Sequence, residues 1–350
     1  MKRLLALMVA AMLCSGCSAL PGEDRSFAVA LGVSCSGDVW EVCARVPTYQ
    51  TGGGYLTLSA LGSSIGEAMA LLNASAPMEL HYGQVRLLIF SRDLAESGQL
   101  PELLRSLSAR GEVRTQAALC ITESSVKDVM DALEPATGSR LSKALEAMLQ
   151  TRQKMGVLPC ITLSDWLRMG NRQQPVLMNI ALEPSTGNAT LGMDAPAGRQ
   201  ATEGSGKLQL SGGWLMNQNG RVQGSLSAME MQLLTLLQNQ WRQGTLSLPD
   251  GTITLLDAKT KINAQERDIY CDLSLDYSAS AYTEEGVQQA LLDHLKALMD
   301  KLQKANCDAL GIARKLMVQC LNTTEWNEME WTKIYPSATW HFTVHARREA

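Results

Sequence analysis

Histidine is scarce in this sequence, with four residues in 350, and aromatic side chains make up only 5%. So few imidazoles leave little material for a histidine-built metal or acid–base centre. Three phenylalanines stand against 17 methionines, so the core must be aliphatic and thioether in character. Positive charge is not in surplus. Lys plus Arg total 31 against 35 Asp plus Glu, a net charge of -4, and nothing in that balance draws the chain to nucleic-acid phosphate. Beyond Cys14 and Cys17 the cysteines are odd in number and none stands in a C-x-x-C pair, which excludes a fully paired disulfide framework and a redox or zinc motif. After the leader no stretch approaches the roughly 18 uninterrupted apolar residues of a membrane-spanning helix. What remains is 45% hydrophobic and 19% charged, enough for one or two globular domains and too apolar for a disordered chain.

The first residues have their own pattern. Met1-Lys2-Arg3 is a short positive segment, Leu4 to Leu13 is apolar, and Cys14-Ser15-Gly16-Cys17 ends the run. This is a secretory signal closing on a lipobox-like sequence, with cleavage expected before Cys17 and Cys17 as the lipid attachment site. Cys14 stands where lipoprotein signals usually carry Leu; an ordinary secretory signal with Cys17 as a plain thiol is the other reading. A diacylglyceryl group supplies two chains, and stable anchoring takes at least two membrane signals. Loss of the leader removes Lys2 and Arg3, so attraction to anionic lipid is not the anchor.

Along the rest of the chain two αβ blocks alternate strands and helices. Residues 26–34 and 39–46 read as strands about a Ser36-Gly37-Asp38 turn. Tyr55 to Leu61 is extended, and Glu67 to Ala74 is helical with Ala68, Leu71 and Leu72 offered to a core. Strands are expected over 85–91 and 116–122, and helices over 100–107, 125–133 and 141–155. Turn residues concentrate between 184 and 206, which places a boundary near residue 200. In the second block, a hairpin about Asn219-Gly220 leads to a helix over 228–240. Ile269, Cys271, Leu273, Leu275 and Tyr277 then alternate with polar residues as a half-buried strand. Val287, Leu291, Leu295, Leu298 and Leu302 mark a long amphipathic helix over 284–305. A further helix starts near Asp308, and a final strand covers 338–346, with Trp340, Phe342 and Val344 on one face.

Motifs for catalysis are few. Gly62-Ser63-Ser64-Ile65-Gly66 fits the nucleophile-elbow pattern between a strand and a helix. Ser64 followed by Glu67 is also a capping box, which satisfies a helix amide and is the favoured reading. His341 and His345 lie four residues apart on a strand, about 13 Å, too far for two imidazoles on one zinc, so they are read as polar-face residues. His81 and His294 stand alone. Gly204-Ser205-Gly206-Lys207 is no P-loop, since Ala201 and Leu208 occupy positions that motif reserves for Gly and for Ser or Thr. Cys120 and Cys271 sit in apolar runs and read as buried small hydrophobes.

A set of pieces in order carries more than any one motif. In the first block these are Arg25 through Val33, Gly66-Glu67-Ala68, Leu80 through Arg86, Asp93-Leu94-Ala95 with Gly98, and Arg110 through Arg114. In the second they are Gly213-Trp214-Leu215, Gly224-Ser225-Leu226 with Glu230, Lys259-Thr260-Lys261, Asp308 through Gly311, and Trp331 through Tyr335-Pro336. In this order the chain resembles the Ger(x)C family, the lipoprotein C subunits of bacterial spore germinant receptors, over essentially its whole mature length. It departs at Ser18-Ala19, where members often carry Trp-Asp, at Ser34 in place of Asp, and at Gly83-Gln84 in place of Gly-His.

The resemblance implies a multi-domain α+β lipoprotein with mixed β-sheets flanked by helices. The expected division is a leader over 1–16, a lipid-anchored tether over 17–25, an N-terminal αβ domain over 26–200, and a C-terminal α+β domain over 201–350 that is open to subdivision into two. It further implies a noncatalytic subunit for nutrient-triggered germination, acylated at Cys17 (palmitate among the acyl chains) on the extracytoplasmic face of the spore inner membrane. Its partners would be the two polytopic A and B subunits, with no cofactor, metal or nucleic acid and no small-molecule ligand assigned. Two other classes stay open: a lipid-anchored solute-binding protein, and a surface serine hydrolase using Ser64.

Overall fold

Strands without a polar face dominate the middle of the molecule, because the sheet they form is covered on both sides. The computed structural model describes residues 25–48, 54–134, 140–159, 161–170, 173–182, 208–248, 251–278 and 282–349. β1 (Arg25–Phe27) leads to β2 (Ala30–Ser36), and Gly37, at φ +60°, turns the chain into β3 (Val39–Thr48). β4 (Gly54–Gly62) precedes α1 (Ile65–Ser75); β5 (Glu79–His81) pairs in parallel with β1, and β6 (Leu87–Ser91) enters the main sheet. Helices α2 (Arg92–Ser97) and α3 (Leu100–Ala109) cross to β7 (Ala118–Thr122). Helices α4 (Val126–Asp131), α5 (Leu141–Lys154) and α6 (Leu163–Met169) cross to β8 (Val176–Leu182).

The hairpin β9 (Leu208–Met216) and β10 (Val222–Leu226) completes an eight-stranded sheet of order β10-β9-β8-β7-β6-β2-β3-β4. Its centre, β8-β7-β6-β2, is parallel. Parallel strands buried on both faces read as continuous apolar runs, and β6 and β7 do: Leu87 to Phe90 and Ala118 to Ile121 are all buried. Leu88, Phe90 and Leu119 pack with α1, α2 and α3, and Leu87, Ile89 and Cys120 pack with α4 and α5 on the other face. The boundary expected near residue 200 lies outside the described residues. The first sheet continues beyond it, since β9 pairs antiparallel with β8.

After α7 (Ala228–Leu237), strands β11 (Gly244–Leu248), β12 (Gly251–Gln265) and β13 (Asp268–Ser278) form an antiparallel meander. Helices α8 (Glu284–Lys304), α9 (Ile312–Met317), α10 (Thr323–Met329) and α11 (Trp331–Ile334) then precede β14 (Thr339–Arg348), which returns parallel to β13 at the sheet edge. The expected apolar sets meet here. Ile269, Cys271, Leu273, Leu275 and Tyr277 share one core with Val287, Leu291, Leu295, Leu298 and Leu302 of α8. The architecture is α+β, with mixed sheets flanked by helices.

One expectation differs from the structure. Leu71 is 47% exposed, and α1 buries Ala68, Met69 and Leu72 instead. The alternating face of α1 was narrower than its leucines suggest because Gly62 admits the helix closely: a Cβ there would lie 2.6 Å from the Ala68 amide nitrogen. The longest strand, β12, carries only a weak apolar signal.

Candidate functional site

Cys17, and with it the leader and all of the expected tether except Arg25, which opens β1, lies outside the described residues, as do Cys160 and Gly204 to Lys207. The other sequence candidates are placed individually. Ser64 caps α1: its hydroxyl accepts from the Glu67 amide at 3.2 Å. The Glu67 carboxylate reaches back one residue further than a standard capping box, accepting from the Ser63 amide at 2.8 Å and hydroxyl at 2.5 Å. These Ser63 contacts hold the Glu67 carboxyl below the usual carboxylate range. His341 pairs with Asp268 at 2.9 Å and His345 lies 3.9 Å from Asp272, both on the exposed face of the four-stranded sheet. Among the described residues no group of three or more His, Cys, Asp or Glu could hold a metal ion. Cys43, Cys120, Cys271 and Cys307 are buried. Burial pushes the Cys43 and Cys271 thiols up to about 12, away from thiolate chemistry.

The carboxyl ends of parallel strands are the usual ligand position in an open α/β sheet. Here the ends of β2, β6 and β7 border a polar cleft with Ser34, Ser91 and Thr122. Its cation is already engaged. Arg92 pairs with Glu96 at 2.5 Å and with Glu123, and its guanidinium sits 5.2 Å from the centroid of the Trp214 ring.

The densest polar structure is instead the buried junction between the two sheets. Ser227 and Glu230 make a full capping box at the start of α7, and Lys301 of α8 reaches the Glu230 carboxylate at 2.9 Å. From Met231 to Leu237 every residue of α7 is buried. A helix apolar all round belongs between layers rather than on a surface, and α7 is hydrogen-bonded on both sides. Gln232 donates to Met155 O, under the first sheet, and to Thr245 O of β11, each at 3.1 Å. Thr235 donates to Gly156 O at 3.0 Å, while Thr260 of β12 donates to Leu236 O at 3.0 Å. Gly156 has φ +72°, and a Cβ there would meet the Trp241 ring at 2.7 Å, so this contact requires glycine.

A second knot lies beside it. The Asp308 carboxylate, 2% exposed as a residue, accepts from the Ile312 amide at 2.8 Å, the Ala313 amide at 2.6 Å and the Trp331 indole at 3.3 Å. Its own amide donates to Gln174 Oε1 at 3.0 Å, and Gln173 and Gln238 both donate to Ala309 O. Tyr335 donates to Cys307 O at 3.0 Å. Burial raises the Asp308 carboxyl, against the backbone and indole donors that favour its charge, and burial likewise raises Tyr335 and Cys307. These groups are satisfied and closed to solvent. The knot unites Asp308, Trp331 and Tyr335, which the sequence supplied only as separate pieces.

Among the described residues no helix is long and apolar enough to cross a membrane. Comparison with curated proteins found no match to this sequence. The crystal structure of the GerBC protein has the same fold, with a TM-score of 0.56 at 14% identity, covering 93% of this chain and 98% of that one. Residues 21–182 match the spore germination protein N-terminal domain, and residues 211–349 match the spore germination B3/GerAC-like C-terminal domain. With both family domains present in order, the chain belongs to the Ger(x)C family of spore germination proteins.

Proposed function

We propose that this chain is the C subunit of a spore germinant receptor, a noncatalytic component anchored by lipid at Cys17 and coupling two polytopic partner subunits. The paired family domains carry this reading. The junction supports a coupling role: α7 bonds to Met155 after α5 and to Thr245 of β11, and the Asp308 amide bonds to Gln174 just before β8, so a load on one sheet has a hydrogen-bonded route to the other. Ser64, the one candidate nucleophile, is engaged as a helix cap. Cys17 precedes Arg25, the first residue of β1, by eight positions, so an extended tether places β1 within about 28 Å of the acyl chains.

Genetic replacement tests the reading. A strain lacking the chain should lose its response to at least one nutrient, and wild-type protein should restore it. Cys17→Ala protein should incorporate no labelled palmitate, leave the membrane fraction and fail to restore germination. Normal germination of the deletion strain with every nutrient, in the absence of a second gene of this family, would sink the proposal.

A further inference from the structure

Over its second half β12 is paired on one side only. β11 meets it from Gly251 to Leu255, and from Ala258 to Gln265 its one strand partner is β13. Thr260 shows which residues point away from β13: its amide donates to Asn239 Oδ1 and its carbonyl accepts from Asn239 Nδ2, each at 2.8 Å. In an antiparallel ladder alternate residues direct both backbone groups to the same side, so Ile262 and Ala264 face outward as well. The Asn239 carboxamide stands where a neighbouring strand's peptide group would. Beyond it the carbonyls alone are answered. Lys315 Nζ donates to Ile262 O at 2.7 Å, and Gln319 Nε2 donates to Ala264 O at 3.1 Å. Among the described residues no hydrogen bond reaches the Ile262 or Ala264 amide.

A groove of about 880 Å³ lies between this edge and the flank of α9. Ile262 is 9% exposed and Ala264 2%, and the side chains that reach over them, Lys315 and Gln319, belong to exposed residues. Access to the two amides therefore needs only long, flexible side chains to swing aside. Charge in the groove is of one sign. Arg314 and Lys315 line it, no lining residue carries a carboxylate, and neither cation makes an ion pair among the described residues. Burial lowers the Lys315 ammonium, with the Cys271 thiol alone acting against it. Val318, 82% exposed, adds apolar surface beside the two cations. Native sheets seldom leave backbone donors on an edge unanswered.

We propose that this edge accepts an acidic, extended segment of a partner protein as an added strand. The guest runs antiparallel to β12, and two alternate guest residues exchange backbone hydrogen bonds with Ile262 and Ala264. Lys315 and Gln319 release the two carbonyls, guest amides take them over, and guest carbonyls answer the Ile262 and Ala264 amides. Paired residues share a face of the sheet, so the guest side chains opposite Ile262 and Ala264 project toward α9. Carboxylates at those positions meet Arg314 and the released Lys315. The open edge from Lys261 to Gln265 is about 17 Å long at the strand rise, enough for about five guest residues. Asn239 closes it at Thr260. Such binding is a property of this chain by itself and does not depend on the receptor assignment.

The probe is acetyl-Thr-Glu-Val-Glu-Thr-amide, titrated into the full-length protein in detergent micelles with nitrogen-labelled isoleucine followed by NMR. The Ile262 amide signal is assigned by its loss in Ile262→Val. The peptide should move that signal downfield saturably, with a Kd on the order of millimolar, and slow its exchange with water. Arg314→Glu, at an exposed position, should weaken binding about fivefold or more with the unfolding midpoint unchanged. Gln319→Ala should strengthen it roughly threefold, since the guest then has one contact fewer to displace. The same peptide methylated on both Glu nitrogens keeps its charge but cannot donate, and it should give no saturable shift. Acetyl-Thr-Lys-Val-Lys-Thr-amide should give none either. The proposal is overturned by absence of a saturable Ile262 response, by equal binding of the lysine peptide, or by weaker binding to Gln319→Ala. Equal binding of the methylated peptide would also overturn it, marking a simple anion site at Arg314. So would a downfield Ile262 signal that grows with protein concentration alone, which would put a second copy of this chain on the edge.

Discussion

The eight-stranded sheet carries helices on both faces, whereas the four-stranded sheet carries them on one and leaves the other to solvent. Polar chemistry is distributed accordingly. Around the first sheet it gathers at strand ends and at the buried Arg45 of β3, which donates to Leu133 O and Asp131 O; on the second it forms cross-strand pairs such as Lys261 opposite Asp272 and Arg347 against Asp276. The first sheet depends on close approach of covering elements, the second on one amphipathic helix. The two are held by a junction that belongs to neither.

Breaking the junction should have the largest effect. Asp308→Ala leaves two buried amides and the Trp331 indole without an acceptor, a loss of about 4 kcal/mol. Urea unfolding should then separate into two transitions where the wild type shows one. The same site has a pH signature of definite sign. Because its native pKa is raised above the ordinary 3.8, the stability linked to this proton is fully present below pH 3.8 and is lost as pH rises through the native value. Asp308→Asn should flatten that part of the stability profile.

Leu291→Ala, in α8, attacks the second sheet and should cost about 3 kcal/mol, lowering the midpoint of the single urea transition. Gly62→Ala is the counterpart in the first sheet. A Cβ there meets backbone at 2.6 Å, so α1 must move, at about 2 kcal/mol. Ser64→Ala removes only a cap, about 1 kcal/mol, and differential scanning calorimetry should record that small shift with germination unaffected. Smallest is His341→Ala, an exposed pair on the open face, expected within about 0.5 kcal/mol of wild type; a larger loss would show that this face is not simply solvated.

The same contrast explains what could be read from the sequence. β13 was legible because water on one face and α8 on the other impose strict alternation. β12, which shares its sheet, was not legible as a strand. Its inward positions include Ala258, Thr260 and Ala264, which offer little hydrophobic contrast, and a bulge between Leu255 and Asp257 shifts the phase. The segment of α7 read as a helix, but nothing local told that it would be buried all round; that follows from the second sheet closing over it. The Ser64 cap was legible because its partners are adjacent in sequence. The Asp308 knot was not, since Asp308 meets Trp331 only across two intervening helices.

The parallel return of β14 to β13 sets an order of events during folding. β11, β12 and β13 can zip through short turns as soon as they are made. β14 must wait for α8 to α11, so its pairing is a distant contact closed against chain entropy. Until it docks, the Leu273 and Leu275 strand has an open edge able to accept a foreign segment. The interval between synthesis of β13 and arrival of β14 is thus the window in which this protein is most exposed to misassembly.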